Sequence, residues 1–324
     1  MRDRIGKILA ASLIAASVMA AEANQAEAQM IEEPWSVGGL HGTIAKPRDH
    51  ARGPAVLIVA GSGPTDRNGN GPGSPPALHT DSYKFLAAGL ADNGILSLRY
   101  DKRGVAESRP LVTREDEVNF DHFVDDALTA VQSLAARPDV SSVLIAGHSE
   151  GGLIALAAAK RVPVAGLVLL ATPGRTYLQV MRGQLKERLP ADLDASANAI
   201  LDSLAAGKAV GNLPPQLAGL FRPSVQPFLM SIGNFDPAAA LAQSKAPVLI
   251  VHAGRDLQVS ATDFDALRAA RHDAQALLLP EANHTLKVSP ADREGNLALY
   301  SNPGAPLDPA LMPALVAFIR SVDR

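Results

Sequence analysis

The sequence predicts an α/β fold: a mostly parallel central sheet flanked by helices and interrupted by an inserted helical cap. Three observations carry that expectation. Residues 55–60, 95–100, 142–147, 165–171 and 247–253 are apolar, strand-like runs of the kind that parallel strands buried on both faces require. Helical patterns separate these runs, which is the alternation of strand and crossover helix. One stretch, 174–245, holds helical spacing and proline breaks but no strong strand.

Taken in order, residues 1–28 read as an export signal. Arg2, Arg4 and Lys7 precede an uncharged, mostly apolar run over 8–20, and small-x-small sites follow at 18–20, 21–23 and 26–28. The apolar run is shorter than the roughly 20 residues of a membrane-spanning helix. The expected product is therefore exported, periplasmic or secreted, with no membrane attachment after signal removal. Residues 35–44, with Gly39 and Gly42, predict an opening hairpin. Strand 55–60 follows. Helix 82–93 ends at Gly94, a C-terminal cap glycine. Strand 95–100 comes next, and helix 120–137 stops before Pro138. Strand 142–147 leads into an alanine-rich helix at 151–161, and strand 165–171 completes a first core segment spanning 29–173. The insertion over 174–245 carries helices at 176–189 and 195–206, with breaks at Pro214, Pro215, Pro223 and Pro227. It is far longer than an ordinary α/β loop of about 2–6 residues, and a substrate-covering role is expected. The second core segment, 246–324, resumes with strand 247–253, helix 262–272 and strand 275–279. It closes with helix 309–322, capped by Asp308 with Pro309 at its first position.

Composition narrows the chemistry. The chain has no cysteine, which excludes disulfides, iron–sulfur clusters, cysteine zinc sites and a cysteine nucleophile. Lys plus Arg number 30 against 33 for Asp plus Glu, so there is no basic footprint for nucleic acid or for an anionic membrane. No HExxH or comparable spacing points to zinc. Asp66, Asn68, Asn70 and Gly71 imitate a calcium loop, but Ala77 stands where the bidentate acid belongs. No metal and no cofactor is expected.

The reactive groups gather at strand ends. Gly147-His148-Ser149-Glu150-Gly151 fits G-x-S-x-G between an apolar strand and a helix. Such a turn strains the serine backbone, exposes its hydroxyl and aims a helix N-terminus at it. A serine hydroxyl needs a base. Of the eight histidines, His284 lies on the loop past strand 275–279, at the carboxyl edge shared with Ser149. His252 lies within a strand as a packed histidine, His148 should point away from the hydroxyl, and His272 closes a helix. The imidazole needs a carboxylate partner. Asp256, directly after strand 247–253, is the candidate, with Asp263 and Asp265 as rivals. Asp263 reads better as a solvated acid of a helix first turn. The order Ser149, Asp256, His284 suits this kind of sheet. The oxyanion donors are the backbone N–H of Glu150 and that of Ser62, in the Gly61-Ser62-Gly63-Pro64 turn after the first core strand. Asp101 and Arg103, in the turn 100–104, read as a charged pair fastening the loop beneath the site.

These stretches, together with Gly61 to Asn70, Tyr100-Asp101-Lys102-Arg103-Gly104 and Gly254-Arg255-Asp256, resemble secreted bacterial α/β-hydrolases of the S33 aminopeptidase-like or esterase-like group. The resemblance spans about 35–322. It implies Ser149 as nucleophile, Asp256 as orienting acid, His284 as base, and the Gly61–Gly63 turn at the oxyanion. The first loop departs from the plain His-Gly turn of many relatives. The reaction expected is hydrolysis of a small-molecule carboxylic ester through an acyl-enzyme. An aminopeptidase or amidase with the same triad is the alternative. It would need carboxylates for a free amino group, drawn from Glu187, Asp192, Asp194, Asp202, Asp236 or, better, Glu150. A non-catalytic binding protein on the same fold is the third reading.

Overall fold

The computed structural model describes residues 30–72 and 77–323; the expected export signal at 1–28 lies outside them. The strands β1 (Met30–Val37) and β2 (Leu40–Pro47) form the opening hairpin, and β3 (Gly53–Val59) follows. A short ribbon of β4 (Asn70–Gly71) and β5 (Leu78–His79), unforeseen in the sequence, leads to α1 (Ser82–Asp92). Then come β6 (Leu96–Tyr100), α2 (Phe120–Ala135), β7 (Val140–His148), α3 (Glu150–Ala159) and β8 (Gly166–Leu170). The insertion contributes α4 (Tyr177–Lys186), α5 (Ala191–Ala205), α6 (Pro215–Phe221), α7 (Gln226–Gly233) and α8 (Pro237–Gln243). The chain returns through β9 (Val248–Ala253), α9 (Ala261–Ala270), β10 (Gln275–Leu279), α10 (Arg293–Ala298) and α11 (Leu311–Val322).

Among the described residues the main sheet has eight strands in the order β1-β2-β6-β3-β7-β8-β9-β10. Only the β1–β2 and β2–β6 pairings are antiparallel. The apolar runs are continuous because both faces are covered. Ala55, Leu57 and Val59 face the core under α2 and α3, whereas Val56, Ile58 and Ala60 face the core under α1 and α11. The same period of two sorts Ile145 from Leu144, and Leu169 from Val168. The chain leaves β3 toward β6 on one side and comes back to β7 on the other. Strand order thus reverses at β3, and the crevice at the carboxyl ends of β3 and β7 is where such sheets bind ligands.

The insertion has its own apolar core, in which Leu178, Leu201, Leu204, Leu217, Phe221 and Leu229 pack together. By contrast, α8 lends Ala240 and Leu241 to the main core. The closing helix starts later than its sequence signal. Asp308 receives the Ala310 N–H in a local side-chain turn, so Pro309 lies before the helix rather than in it. No helix among the described residues is long and apolar enough to cross a membrane.

Candidate active site

Ser149 sits between the end of β7 and the start of α3 with φ 54° and ψ −120°. That left-handed backbone costs a non-glycine residue on the order of 1–3 kcal/mol and persists only where surroundings impose it. Here the Ser149 N–H donates to the Leu170 carbonyl at 2.8 Å, and the Ser149 carbonyl accepts from Gly152 at 2.9 Å. The flanking glycines are a packing requirement. A Cβ on Gly147 would lie 2.2 Å from the Gly151 oxygen, and one on Gly151 would lie 2.2 Å from the Val59 oxygen. Strand and helix can pass at this distance only without side chains.

Two further loops bring up the imidazole and the carboxylate. His284 Nδ1 and Asp256 Oδ2 are 2.7 Å apart, both side chains almost wholly buried. Asp256 uses its other oxygen to accept the Gln258 and Val259 N–H groups at 2.7 and 3.0 Å, which fixes the plane of the carboxylate. Asn283 shapes the histidine loop, accepting from the Thr285 N–H and hydroxyl at 3.0 and 2.7 Å. With Nδ1–H committed to Asp256, Nε2 of His284 is left with a free lone pair. Ser149 and His284 line one cavity of about 80 Å³, with Gly61, Ser62, Tyr83 and Tyr300 among its walls. The hydroxyl-to-imidazole hydrogen bond is not formed among the described residues, a contact that sites of this kind commonly tighten only with substrate.

The rivals are placed elsewhere. His252 stacks on Phe264 at 5.1 Å in the core, its basicity lowered by burial. Asp263 does stand in the first turn of α9, but it is fully buried rather than solvated. Arg175, from the loop after β8, folds over it and forms an ion pair at 2.8 Å, while Ser260 donates its hydroxyl at 2.9 Å. Burial pushes this carboxyl up, and Arg175 with Ser260 more than offsets that, leaving it below the usual range. Asp101 and Arg103 do not pair with each other. Asp101 takes Arg67, and Arg103 takes Asp126 on α2, because residues 101 and 103 leave the end of β6 toward different neighbours. In the calcium-like loop, Asp66 accepts the Asn68 and Asn70 N–H groups, and Asn70 accepts those of Thr80 and Asp81. Those oxygens serve the loop's own backbone. The insertion contributes none of the residues lining the cavity, but it touches its walls: Tyr177, at the start of α4, lies beside the Ser62 side chain, and Gln184 donates to the Gln258 carbonyl at 3.0 Å.

The structure also shows residues that sequence reading missed. The Gly61 N–H donates to the Tyr83 hydroxyl at 3.0 Å, and that hydroxyl lies 2.8 Å from His148 Nδ1. His148 Nε2 lies 2.8 Å from the His284 carbonyl. A carbonyl only accepts, so His148 carries its proton on Nε2, and the Tyr83 hydroxyl donates to Nδ1. One neutral ring therefore ties the Gly61 turn, the serine elbow and the histidine loop together. Nothing in the sequence marked Tyr83, the second residue of α1. Lys102 stood in a stretch that carries the family resemblance, but no role was read for it, although its place after β6 shares the carboxyl edge with Ser149. Its Nζ donates to the Gly61 carbonyl at 2.6 Å and to Glu150 Oε1 at 3.0 Å, with both side chains buried.

Burial, and then the proximity of His284, pull the His148 pKa down to about 3. The unfolded chain takes up this proton near the ordinary histidine value of about 6.5, well before the folded chain does. Stability is therefore lost as pH falls from about 6.5 toward 3, at up to about 1.4 kcal/mol per pH unit from this residue. Urea titrations between pH 6.5 and 4.5 should show a shallower decline for His148→Gln than for the wild type. Equal slopes would remove His148 as the cause.

Residues 77–290 match the family described as serine aminopeptidase, S33. Esterase EstD of Thermotoga maritima is 32% identical over 261 residues, covering 79% of this chain; the chain spans 60% of that esterase's length. Proline iminopeptidase of Mycobacterium smegmatis superposes with a TM-score of 0.55 at 16% identity, over 90% of this chain and 99% of its own. Dienelactone hydrolase of Anabaena variabilis does so with a TM-score of 0.52 at 21% identity, over 91% and 100%. The structural likenesses speak for the fold, and the sequence match, which covers well over half of the chain, speaks for descent: this chain has the α/β-hydrolase fold and belongs to the serine aminopeptidase S33 family.

Proposed function

We propose that this protein is a serine hydrolase that cleaves carboxylic esters of small molecules, acting after export. Ser149 attacks the ester carbonyl while His284 Nε2 takes its proton. The proton then goes to the leaving alcohol, and water repeats the sequence on the acyl-enzyme. Asp256 holds the imidazole and stabilises its charged form, and the N–H groups of Ser62 and Glu150 receive the developing oxyanion. The observation that carries this reading is the strained Ser149 sharing a cavity with an imidazole already bound to a buried carboxylate. Export rests on the basic and apolar pattern at 1–28.

Ester is favoured over peptide by the fate of Glu150. It was the best candidate to hold a free amino group, but its carboxylate is buried and bound to Lys102. Asp202 pairs with Arg182, and Asp236 caps α8; neither lines the cavity. The cavity is also small beside the roughly 300–1,000 Å³ of drug-sized sites, which favours short acyl groups. In a panel of p-nitrophenyl esters and aminoacyl p-nitroanilides, kcat/KM should be highest for acetyl to butyryl esters, at least tenfold above any anilide. Faster turnover of the anilides would reverse the assignment in favour of the peptidase.

A further inference from the structure

Lys102 holds a place that neither the family match nor the triad explains. It is 1% exposed, beneath the two main-chain groups assigned to the oxyanion. We propose that Lys102 is a positioning residue that sets both oxyanion donors at once; the proposal rests on the serine-hydrolase reading above.

The geometry of the peptide unit carries the first half. The Gly61 carbonyl and the Ser62 N–H belong to one peptide plane, and in a trans peptide they point in opposite directions. Lys102 grips that carbonyl at 2.6 Å. The Ser62 N–H is thereby turned away from Lys102, in a turn whose Gly61 and Ser62 line the cavity together with Ser149. The cation also polarises the peptide, which makes the N–H a stronger donor. The preceding unit is held as well, since the Gly61 N–H donates to the Tyr83 hydroxyl at 3.0 Å. The turn cannot flip a peptide without losing one of these bonds.

The second half runs through Glu150. Its N–H is the other donor, and its carboxylate meets the same ammonium at 3.0 Å. The first residue of α3 is therefore tied to the loop after β3 by one side chain from the end of β6. Lys102 also lies over the Phe123 ring, at 5.2 Å from its centroid, so its approach from the α2 side is fixed. A buried ion pair is a poor means of stabilising a fold, because desolvation consumes most of the attraction and apolar replacements often do as well. Orientation of the two donors accounts for its presence at this place.

The test uses Lys102→Met/Glu150→Gln, which leaves no unpaired buried charge, and Glu150→Gln alone, whose amide oxygen still accepts from Lys102. Each is compared with the full wild-type chain for kcat and KM on a short p-nitrophenyl ester, and for affinity toward a trifluoromethyl ketone. In that adduct the Ser149 oxygen bonds the ketone carbon, the proton passes to His284, and the ketone oxygen becomes an oxyanion. Loss of one oxyanion donor typically costs 10²–10³ in kcat, so a misdirected one is expected to cost about 30-fold. The double variant should lose that factor in kcat and in ketone affinity together, with KM within about threefold; Glu150→Gln, which keeps an acceptor for Lys102, should lose less in both. Unchanged kcat and ketone affinity in the double variant overturn the proposal. So does a fall in kcat without a fall in ketone affinity, or a lowered melting temperature alone. If the double variant does not fold, Lys102→Arg, which keeps a charge beside Glu150 but alters the donor geometry at Gly61, is read by the same criteria. A fluorophosphonate on the wild type separates the two failures. If Ser149 takes no label and no ester is hydrolysed, the hydrolase reading and this proposal fall together; a labelled, active wild type with unaltered variants removes Lys102 alone.

Discussion

Replacing Ser149 with alanine is expected to lower kcat on a short p-nitrophenyl ester by roughly 10⁴- to 10⁶-fold, the scale at which removing a triad nucleophile acts. The reason is chemical rather than structural. The elbow is imposed by Gly147, Gly151 and the bond from the Ser149 N–H to the Leu170 carbonyl, all of them main-chain features, and alanine accepts the backbone no worse than serine. The melting temperature should therefore hardly change while turnover disappears. Initial rates check the first part. Intact mass after fluorophosphonate treatment checks the second: the wild type should gain one adduct on the peptide containing Ser149, and the variant none. A variant that keeps a tenth of wild-type turnover would dismiss Ser149 as the nucleophile.

The next largest effect is expected at Asp256. Asp256→Asn should reduce kcat by about 10⁴-fold with little change in KM, because the imidazole is then held in the wrong tautomer. Asp256 splits its oxygens, one on the Gln258 and Val259 N–H groups and the other on His284 Nδ1. Asparagine keeps its carbonyl on the two backbone donors and turns its NH₂ toward the imidazole. Nδ1 must then accept, the proton moves to Nε2, and Nε2 can no longer take a proton from Ser149. Asp263→Asn is the control. Asp263 anchors Arg175 rather than the imidazole, so that variant should lose thermal stability yet keep kcat within a few-fold. Equal losses in the two variants would mean that Asp256 acts through folding alone.

The parts of this protein that were legible in its sequence have short-range causes. Parallel strands buried on both faces are largely apolar, so β3 and β8 announced themselves as unbroken runs, and β6, β7 and β9 as apolar stretches carrying a few polar residues. The G-x-S-x-G turn is equally local, since its glycines answer contacts with the strand and helix that meet there. Position at a strand's carboxyl end then singled out His284 and Asp256, because a parallel sheet brings all such ends to one edge. Readings failed where a side chain's fate depends on a distant partner. Asp263 looked solvated from its place in a helix first turn, and Arg175, far away along the chain, buries it. Asp101 and Arg103, two residues apart, looked paired, and each found a better partner across the fold.

Periodicity and local packing in the sequence thus determined the sheet, the serine elbow and the edge at which the reactive groups would collect. Only the tertiary structure decided how those groups are held: the Tyr83–His148 link through three loops, the grip of Lys102 on Gly61 and Glu150, and the core residues that line the cavity. A strand or an elbow is specified by residues a few positions apart, which a sequence displays side by side. A hydrogen bond between buried groups is specified by where separate strands end in space, and that is set by the packing of the whole core.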